Sequence, residues 1–322
     1  MTHELIDRVF VPAFRNPYLE ELNDQAVVAS PASGRIAITT DSYVVKPFRF
    51  PGGNIGDLAV NGTVNDLLMG GATPFYLSAG FVLMEGLEVA DLEEVVASMA
   101  YAAKQAGVQV VTGDTKVVEG RPQDGLFINT SGIGFVPEGI DWRPQAIRPG
   151  DAVILSGTVG DHGASVMASR FEIEFESDIR SDTQNLCRAV LAVRDLGGGI
   201  RCMRDPTRGG LATTLAELSM ASRLNLRVRE QGISIRENVR GMCEVLGLDP
   251  LYVANEGKLV AVVDPEVADE VVRRLRAVPE TEEARIIGEV TGDTPGHASL
   301  VTLLGAVRML DLLPVEQLPR IC

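Results

Sequence analysis

The most informative pattern of this chain is GNIGDLAVNGTVNDLLMGGATP, residues 53–74. It predicts a helix from about Asn54 to Met69, which Gly70 and Gly71 would end. On a helical wheel four of its polar residues fall within about 80° of one another: Asn54, Asp57, Asn61 and Asn65. A solvated helix face usually carries Lys and Glu, whereas short Asp and Asn side chains are better suited to binding a polar ligand. The plainer alternative is a set of exposed weak helix formers with a helix cap.

Strands and one further helix surround this segment in the sequence. Before it, two short runs rich in Ala, Val and Ile, joined by Pro31-Ala32-Ser33-Gly34, are typical of a β-hairpin: Gln25–Ser30 and Arg35–Thr40. After it we predict strands and an amphipathic helix that ends at Gly107: strand Pro74–Met84, helix Leu87–Gln105, and strands Val108–Thr112 and Leu126–Val136. The strand that ends at Thr112 leads into a predicted turn, Gly113-Asp114-Thr115-Lys116.

A break in the pattern divides the chain into two parts. Residues 137–150 contain prolines and glycines in a polar context, which is typical of a domain boundary. Beyond it, strands and helices recur: strands Asp151–Ser156, Asn225–Arg229, Lys258–Asp264, Ala284–Val290 and Ser299–Leu303, and helices near Asp182–Leu196, Gly209–Ser222 and Arg236–Leu246. Because several strands are adjacent in sequence, a mixed or antiparallel α+β architecture is favoured over a doubly wound parallel sheet.

We therefore expect an N-terminal domain at residues 1–140, a C-terminal α+β domain at 150–310 and a tail at 311–322. Pro314 and Pro319 make a helix or a central strand improbable in the tail. The tail is accordingly predicted to be an extended, mobile arm that ends in Cys322.

The charge of the chain excludes several classes of partner. Its 322 residues include 29 Lys and Arg against 44 Asp and Glu, a net charge of −15 at pH 7. Nucleic acids and anionic membranes both need a basic protein surface, so we expect neither as a partner. The first residues lack the basic and apolar regions of a signal peptide, so a cytoplasmic location is expected. The cysteines form no C-x-x-C pair and the three histidines are scattered, which disfavours a structural zinc site or an iron–sulfur cluster.

Acidic residues stand at the predicted ends of strands and helices: Asp41, Asp66, Asp114 and Asp205. With Lys46 and Lys116 they suit magnesium bound to a polyphosphate, because Mg²⁺ prefers a few carboxylates together with phosphate oxygens. There is no Walker A sequence and no G-x-G-x-x-G after a strand, so the ordinary nucleotide-binding folds are unsupported. Taken singly, each Asp is equally explained as a routine cap or Asx-turn.

Two further turns contain a candidate proton-transfer group. His162 lies in the loop Gly157–Gly163, between a predicted strand and a predicted helix, where backbone N–H groups can hold an anion. It is either a proton carrier or a polar cap residue. Glu256 lies in Asn255-Glu256-Gly257-Lys258, before an apolar strand. This is either a plain hairpin turn or a general base held at a strand edge.

Three motifs resemble the aminoimidazole ribonucleotide synthetase-like, or PurM-like, superfamily: Asp41 with Lys46, Gly53–Pro74 and Gly113–Val118. Within it, three others are similar to the HypE family of nickel–iron hydrogenase maturation proteins: Gly157–Gly163, Asp205–Leu211 and the terminal Pro319-Arg320-Ile321-Cys322. The terminal motif is the most specific, and the resemblance spans nearly the whole chain. It implies a two-domain PurM-like fold with mixed or antiparallel sheets covered by helices. It also implies a homodimer of paired N-terminal domains, with ATP near that interface.

The resemblance further implies an activity, ATP-dependent carbamoyl dehydration. In that family the carbamoyltransferase HypF places a carbamoyl group on the C-terminal cysteine, and ATP is used to dehydrate it to a thiocyanate. The cyano group then passes to iron on the HypC–HypD complex and becomes a cyanide ligand of the hydrogenase. Cys322 would be the carrier, and Glu256 or His162 the base. Magnesium would be held by Asp41, Asp66 and Asp205, and the nucleotide by Lys46, Asp57, Asn61, Asn65, Gly113, Asp114, Lys116 and Arg208.

Two other classes of function remain open from the sequence. One is another enzyme of the same fold, a selenophosphate synthase or a small-molecule kinase. Residues 1–30 lack the cysteine that selenophosphate synthases usually carry there, and a kinase has no use for a terminal cysteine. The other class is a non-catalytic scaffold whose tail docks onto a partner. Consumption of ATP and a change in the mass of the tail distinguish these alternatives.

Overall fold

The computed structural model describes residues 2–20, 25–28, 31, 33–121, 125–171, 179–292 and 296–312. These residues form two α+β halves, each built on one main sheet. Most of the predicted arm, including Cys322, lies outside the described residues. In the part of the chain that is described, no helix has the length and apolar character needed to cross a membrane.

The N-terminal half is a four-stranded sheet with its two long helices packed on one face. Its strands are β1 (Arg35–Tyr43), β4 (Thr73–Met84), β5 (Gln109–Val118) and β6 (Leu126–Val136), in the order β1-β6-β4-β5, beside a short pair β2 (Arg49–Phe50) and β3 (Gly53–Asn54). Its helices are α1 (Thr2–Leu5), α2 (Val11–Phe14), α3 (Pro17–Glu20), α4 (Ile55–Met69) and α5 (Val89–Ala106). β4 and β5 run parallel, with α5 as the crossover that such a pair requires, and the other two pairings are antiparallel.

Helix α4 forms where the sequence predicts it, because its first turn is capped from both sides. The Asn54 side chain accepts the backbone N–H of Gly56 at 2.8 Å, and the Asp57 carboxylate accepts the backbone N–H of Asn54 at 3.1 Å. This reciprocal pair is a capping box. Gly56 also lets α5 approach closely, since a Cβ there would lie 2.2 Å from the carbonyl oxygen of Val95.

The two faces of the N-terminal sheet differ in exposure. Side chains alternate along β1, so that Asp41 and Tyr43 turn toward α4 while Ile36 and Ile38 turn to the opposite face. Ile36 is 60% exposed and Ile38 is 74% exposed. The antiparallel register places Ile38 opposite Ile133 of β6. The face away from α4 therefore presents apolar side chains at the β1 edge.

The C-terminal half is a seven-stranded sheet in the order β13-β12-β9-β11-β7-β10-β8. Its strands are β7 (Ala152–Leu155), β8 (Ile200–Arg204), β9 (Asn225–Arg229), β10 (Val260–Val263), β11 (Arg285–Thr291), β12 (Ala298–Val301) and β13 (Val307–Leu310). Its helices are α6 (Asp161–Arg170), α7 (Cys187–Val193), α8 (Gly210–Ser222), α9 (Glu237–Leu246) and α10 (Ala268–Arg276). The β9–β12 pair is parallel and the other described pairs are antiparallel.

One apolar core continues across both halves. Leu58 and Leu68 of α4 belong to the same buried cluster as Ile154 of β7 and Ala261 of β10. The halves therefore pack directly against each other.

Two local predictions in the N-terminal half are wrong. The predicted hairpin does not form, because Gln25–Val28 are not in a strand and β1 instead pairs with β6, which lies far along the chain. The predicted turn at Gly113-Asp114-Thr115-Lys116 is a continuation of β5, which stays paired with β4 through these residues. Gly113 is needed for close approach, since a Cβ there would lie 2.3 Å from the Ala79 carbonyl oxygen.

The helix predicted from Asp182 begins only at Cys187. Residues 182–186 are held in an irregular conformation by tertiary hydrogen bonds. The Asp182 carboxylate accepts the backbone N–H of Glu256, and the backbone N–H of Leu186 donates to the side chain of Asn65. These long-range contacts override the local helical pattern.

Candidate active site

A cleft of about 830 Å³ lies between the two halves. Both halves supply polar side chains to its wall, and these include five of the residues predicted from sequence: Asp41, Asp66, Asp205, Arg208 and Glu256. Leu312, with which the described part of the tail ends, also lines the cleft. The carboxylate cluster and the start of the tail therefore lie at the same place.

Strand and helix ends bring the acidic groups into the cleft. Asp41 lies on the α4 side of β1, where the Tyr43 hydroxyl donates to its carboxylate at 3.2 Å. Asp66 lies in the last turn of α4 and accepts the Thr39 hydroxyl at 2.7 Å. Asp205 follows β8 directly and precedes the tight loop that leads into α8. The three carboxylates thus come from three separate elements.

Burial and mutual repulsion raise the pKa values of these carboxyl groups. Burial raises the pKa of Asp41 and of Asp66 above the usual range. For Asp205, burial and then the nearby Asp66 carboxylate raise the pKa to about 7. Carboxylates that disfavour one another's charge form a region that attracts a cation.

The cluster fits a magnesium ion that completes its coordination with phosphate and water. Among the described residues, no three His, Cys, Asp or Glu side chains are placed so that they could hold a metal ion on their own. Mg²⁺ is commonly held by one or two carboxylates plus substrate phosphates, so a preformed protein cage is not required. The repulsion between Asp66 and Asp205 is the feature that a bound cation would relieve.

The polar stripe of α4 contacts the protein itself rather than the cleft. The Asn65 amide donates to the backbone carbonyl of Gln184 at 3.0 Å, and its oxygen accepts the backbone N–H of Leu186 at 2.9 Å. The Asn61 amide donates to the Thr183 hydroxyl at 3.4 Å. In the described part of the chain, the buried side-chain oxygen of Asn61 has no hydrogen-bond donor. The stripe therefore fastens residues 183–186 to the N-terminal half.

Asp57, on the same stripe, makes stability depend on pH. Burial raises the pKa of its carboxyl group to about 6. The folded state therefore binds this proton more tightly than the unfolded state, and the resulting stabilisation is lost as the pH rises from about 4 through about 6. Asp57→Asn keeps an acceptor oxygen for the N-cap and removes the charge, so we expect it to stabilise the protein by ~2 kcal/mol at pH 8.

Thermal unfolding of wild-type and Asp57→Asn protein at pH 8 and at pH 4.5 measures this effect. The gain in stability should shrink toward the lower pH, where Asp57 of the folded wild type becomes protonated and loses its charge. An equal gain at the two pH values would show that the charge of Asp57 is not its cause.

His162 lies outside the cleft. It is fully buried, its Nδ1 lies 2.8 Å from the Ser181 hydroxyl, and its ring packs edge-on against Phe50 at 5.2 Å between centroids. Burial lowers its pKa to about 4, so the ring is neutral at physiological pH. The loop around it does not present the predicted anion site, because the backbone N–H of Gly160 already donates to the Asn255 side chain.

The remaining predicted nucleotide residues lie on other surfaces of the same chain. The register of β5 places Asp114 and Lys116 on the sheet face away from α4, and both are exposed. Gly113 precedes them on the same strand. Lys46 is exposed beyond β1, where its backbone carbonyl accepts the Arg170 guanidinium at 2.7 Å. One chain therefore does not bring these four residues to the cleft.

Comparison with known proteins assigns the chain to a family. Residues 22–136 match the family model for the N-terminal domain of AIR synthase related protein, and residues 148–300 match the model for its C-terminal domain. Over 320 residues the chain is 52% identical to carbamoyl dehydratase HypE of Rhizobium leguminosarum bv. viciae, covering 99% of this chain and 91% of that protein. This chain belongs to the HypE family of carbamoyl dehydratases.

Solved HypE structures show the same fold. A crystal structure of HypE in complex with ATP is 47% identical, covers 99% of this chain and 96% of that chain, and gives a TM-score of 0.94. HypE in a HypE–HypF complex is 44% identical, with coverage of 96% and 99% and a TM-score of 0.84. The two-domain, PurM-like α+β fold predicted from the sequence is thus confirmed, and the chain is an enzyme of hydrogenase maturation.

Two residues that contact residues of the candidate site are not among those predicted from the sequence. Tyr43 can be identified from its spacing, because it stands two positions after Asp41 on a strand and therefore lies on the same face as Asp41. Asp182 cannot be identified from the sequence, because it is a single acid in a polar stretch. Its hydrogen bonds with residues 256–258 form only when the chain folds.

Proposed function

We propose that this HypE-family enzyme uses ATP to dehydrate a carbamoyl group on the sulfur of its own Cys322. The product would be a thiocyanate, which supplies the cyanide ligand of hydrogenase iron. One observation carries the proposal: Leu312, near the start of the tail, lies on the wall of the carboxylate cleft. Cys322 is ten positions beyond Leu312, and an extended chain of that length reaches up to ~35 Å. A chain of this length is long enough to bring the thiol into the cleft.

The cleft would bind the triphosphate of ATP. Asp41, Asp66 and Asp205 would hold magnesium, and Arg208 would contact phosphate oxygens. The bound cation would neutralise charge on the transferred phosphoryl group. The proposal is supported by the convergence of these residues on one cleft and by the ATP complex of a 47% identical HypE.

The reaction balances as two linked steps. The carbamoyl oxygen attacks the γ-phosphorus of ATP, the bond to ADP breaks, and the oxygen becomes a phosphate leaving group. The C–O bond then breaks, the nitrogen loses its two protons, and the carbon–nitrogen triple bond forms. Carbamoyl-cysteine and ATP thereby give cysteine thiocyanate, ADP, inorganic phosphate and one net proton.

Glu256 is the proposed base for the nitrogen protons. Glu256 lines the cleft together with Asp205 and Arg208, whereas His162 does not line it. A carboxylate within the cleft can accept a proton from a thiocarbamate delivered by the tail. We therefore prefer Glu256 to His162 for this role.

We propose two partners, one that supplies the carbamoyl group and one that accepts the cyano group. HypF would deliver the carbamoyl group, which is supported by the solved HypE–HypF complex of a 44% identical protein. The HypC–HypD complex would accept the cyano group at iron. A tail that starts at the cleft and ends in Cys322 would let one thiol meet both partners in turn.

We further propose that two copies pair through the N-terminal sheet. Ile36 and Ile38 are exposed on the face away from α4, and Asp114 and Lys116 lie on that same face. Burial of these isoleucines against a second copy would remove apolar surface from water. In such a dimer, Asp114 and Lys116 would lie at the interface, where they could approach the partner's nucleotide.

Replacing one of these isoleucines tests the dimer. Ile38→Lys places a charge in the proposed interface, so sedimentation velocity should show a dimer for the wild type and a monomer for the variant. Leu304→Lys, at a 98% exposed site in the C-terminal half, is the matched control and should remain dimeric. Equal sedimentation of the wild type and both variants would contradict this interface.

The stoichiometry of ATP consumption tests the proposed activity. Full-length protein, HypF, carbamoyl phosphate and Mg-ATP should release one ADP from this enzyme for each Cys322 that loses water. ADP attributable to HypF is subtracted with a parallel reaction that contains Cys322→Ala protein. Water loss without matching ADP release would overturn the proposal, and steady ATP turnover on a free small molecule would favour a kinase of the same fold.

A further inference from the structure

A buried ion pair lies directly behind the turn that carries Glu256. The Lys258 ammonium lies 3.0 Å from the Asp182 carboxylate, and the two side chains are only 8% and 4% exposed. The Lys258 stem lies against Gly157, where a Cβ would come within 2.8 Å of it. Lys258 is therefore committed to Asp182 and is not placed to bind phosphate in the cleft.

The same carboxylate also holds the backbone of the turn. One oxygen of Asp182 accepts the N–H of Glu256 at 3.1 Å, and the other accepts the N–H of Gly257 at 3.3 Å. Position 257 must be glycine, because a Cβ there would lie 1.9 Å from the Asp182 carbonyl oxygen. Three consecutive residues, 256–258, thus each donate to one carboxylate.

The carbonyl groups of the turn are held by two side-chain amides. Asn65 donates to the carbonyl of Glu256 at 3.3 Å, and Gln184 donates to the carbonyl of Gly257 at 3.1 Å. Asn65 belongs to α4, which also carries Asp66. The backbone of Glu256 is therefore fixed on both sides, by Asp182 in the C-terminal half and by Asn65 in the N-terminal half.

We propose that Asp182, with Lys258 as its counter-ion, is a positioning residue that fixes the Glu256 carboxylate in the cleft for proton removal from the thiocarbamate. This inference rests on the proposed role of Glu256. Asp182 itself does not line the cleft, so it acts through the turn and not on the substrate. A misplacement of about 1 Å at a reacting group can lower a rate ~100-fold.

A double-mutant cycle of Asp182→Asn and Glu256→Gln tests the proposal. Asp182→Asn should lower the single-turnover rate of water loss at saturating Mg-ATP by ~100-fold, while the dissociation constant for ATP changes by less than about threefold. In the Glu256→Gln background, Asp182→Asn should lower the rate of water loss almost no further, because both substitutions disable the same step, proton removal by Glu256. Fully additive losses, or an unchanged rate for Asp182→Asn, would overturn the assignment.

Asp151→Asn is the matched control for lost stability. Asp151 is a 2% exposed carboxylate that pairs with Arg201 and accepts the backbone N–H of Arg148, so it resembles Asp182 but lies away from the cleft. It should lower the melting temperature and leave the rate of water loss unchanged. If Asp182→Asn is too unstable to purify, Gln184→Ala removes one neutral hydrogen bond to the turn and should lower the rate by a smaller factor. An unchanged rate in Gln184→Ala would then contradict the proposal.

Crystal structures separate failure of this proposal from failure of the proposed function. A wild-type enzyme that removes no water in the presence of Mg-ATP would refute the function. Even then, the Asp182→Asn structure should show the Glu256 carboxylate displaced by ~1 Å or more relative to the wild type. An unmoved carboxylate in that variant would refute the positioning role.

Discussion

Replacing Cys322 with alanine should abolish the reaction completely. The thiol is the proposed carrier, so the variant should gain no carbamoyl group from HypF and should show no water loss when Mg-ATP is added. ATP binding should be retained, because the cleft is lined by residues up to Leu312 and does not need the thiol. Mass spectrometry of the C-terminal peptide and calorimetric titration with ATP measure the two properties separately.

Cys187→Ala is the matched control. Cys187 is half-buried in α7, and burial raises the pKa of its thiol to about 11, so little thiolate is present at neutral pH. Its replacement should leave carbamoylation and water loss unchanged. Two results would show that Cys322 is not the carrier. One is a carbamoyl group on Cys322→Ala protein, and the other is Cys187→Ala protein that gains no carbamoyl group.

Replacing Glu256 with glutamine should stop the reaction after carbamoylation. Glutamine preserves the size of the side chain but cannot take up a proton, and loss of a general base typically costs 10²–10⁴-fold in rate, as an order of magnitude. Carbamoyl-Cys322 should therefore accumulate in the presence of Mg-ATP. Rapid-quench sampling followed by mass spectrometry of the C-terminal peptide gives the rate of water loss.

The control for this variant is Glu289→Gln. Glu289 lies on β11, where its exposed carboxylate pairs with Arg229 at 3.2 Å, outside the lining of the cleft. In the Glu289→Gln variant, carbamoyl-Cys322 should lose water as fast as in the wild type. A Glu256→Gln enzyme that keeps the wild-type rate would exclude Glu256 as the base.

Much of the fold was predictable from local patterns. The capping residues Asn54 and Asp57 and the terminal Gly70 determine α4 within a few positions, and β9 was predicted with its observed bounds. The errors occur where distant contacts decide the structure. Gly113 reads as a turn residue in sequence but permits close strand pairing in the fold. Helix α10 was missed although Val271, Val272 and Leu275 give it an apolar face.

The sequence predicts the chemistry of the candidate site, a cation held by carboxylates, but only some of the residues that form it. Acids at element ends suit a cation, which points to Asp41, Asp66, Asp114 and Asp205, and the family resemblance implies Asp41, Asp66 and Asp205 as the magnesium ligands. The fold brings these three to one cleft, whereas Asp114 lies on the sheet face away from α4. The amphipathic wheel could not show that Asn65 contacts residues 184 and 186 instead of a ligand. No sequence signal marks Asp182, since its importance depends on a turn 74 residues away.

The most direct test of the central claim follows the carbamoyl oxygen. Full-length protein is carbamoylated by HypF with carbamoyl phosphate labelled with ¹⁸O in its carbonyl group, freed of HypF, and then given Mg-ATP. The account predicts that the Cys322 peptide loses the elements of water and that the ¹⁸O appears in inorganic phosphate. Retention of the label on the peptide, or its release into water with none in phosphate, would contradict dehydration through phosphorylation of the carbamoyl oxygen.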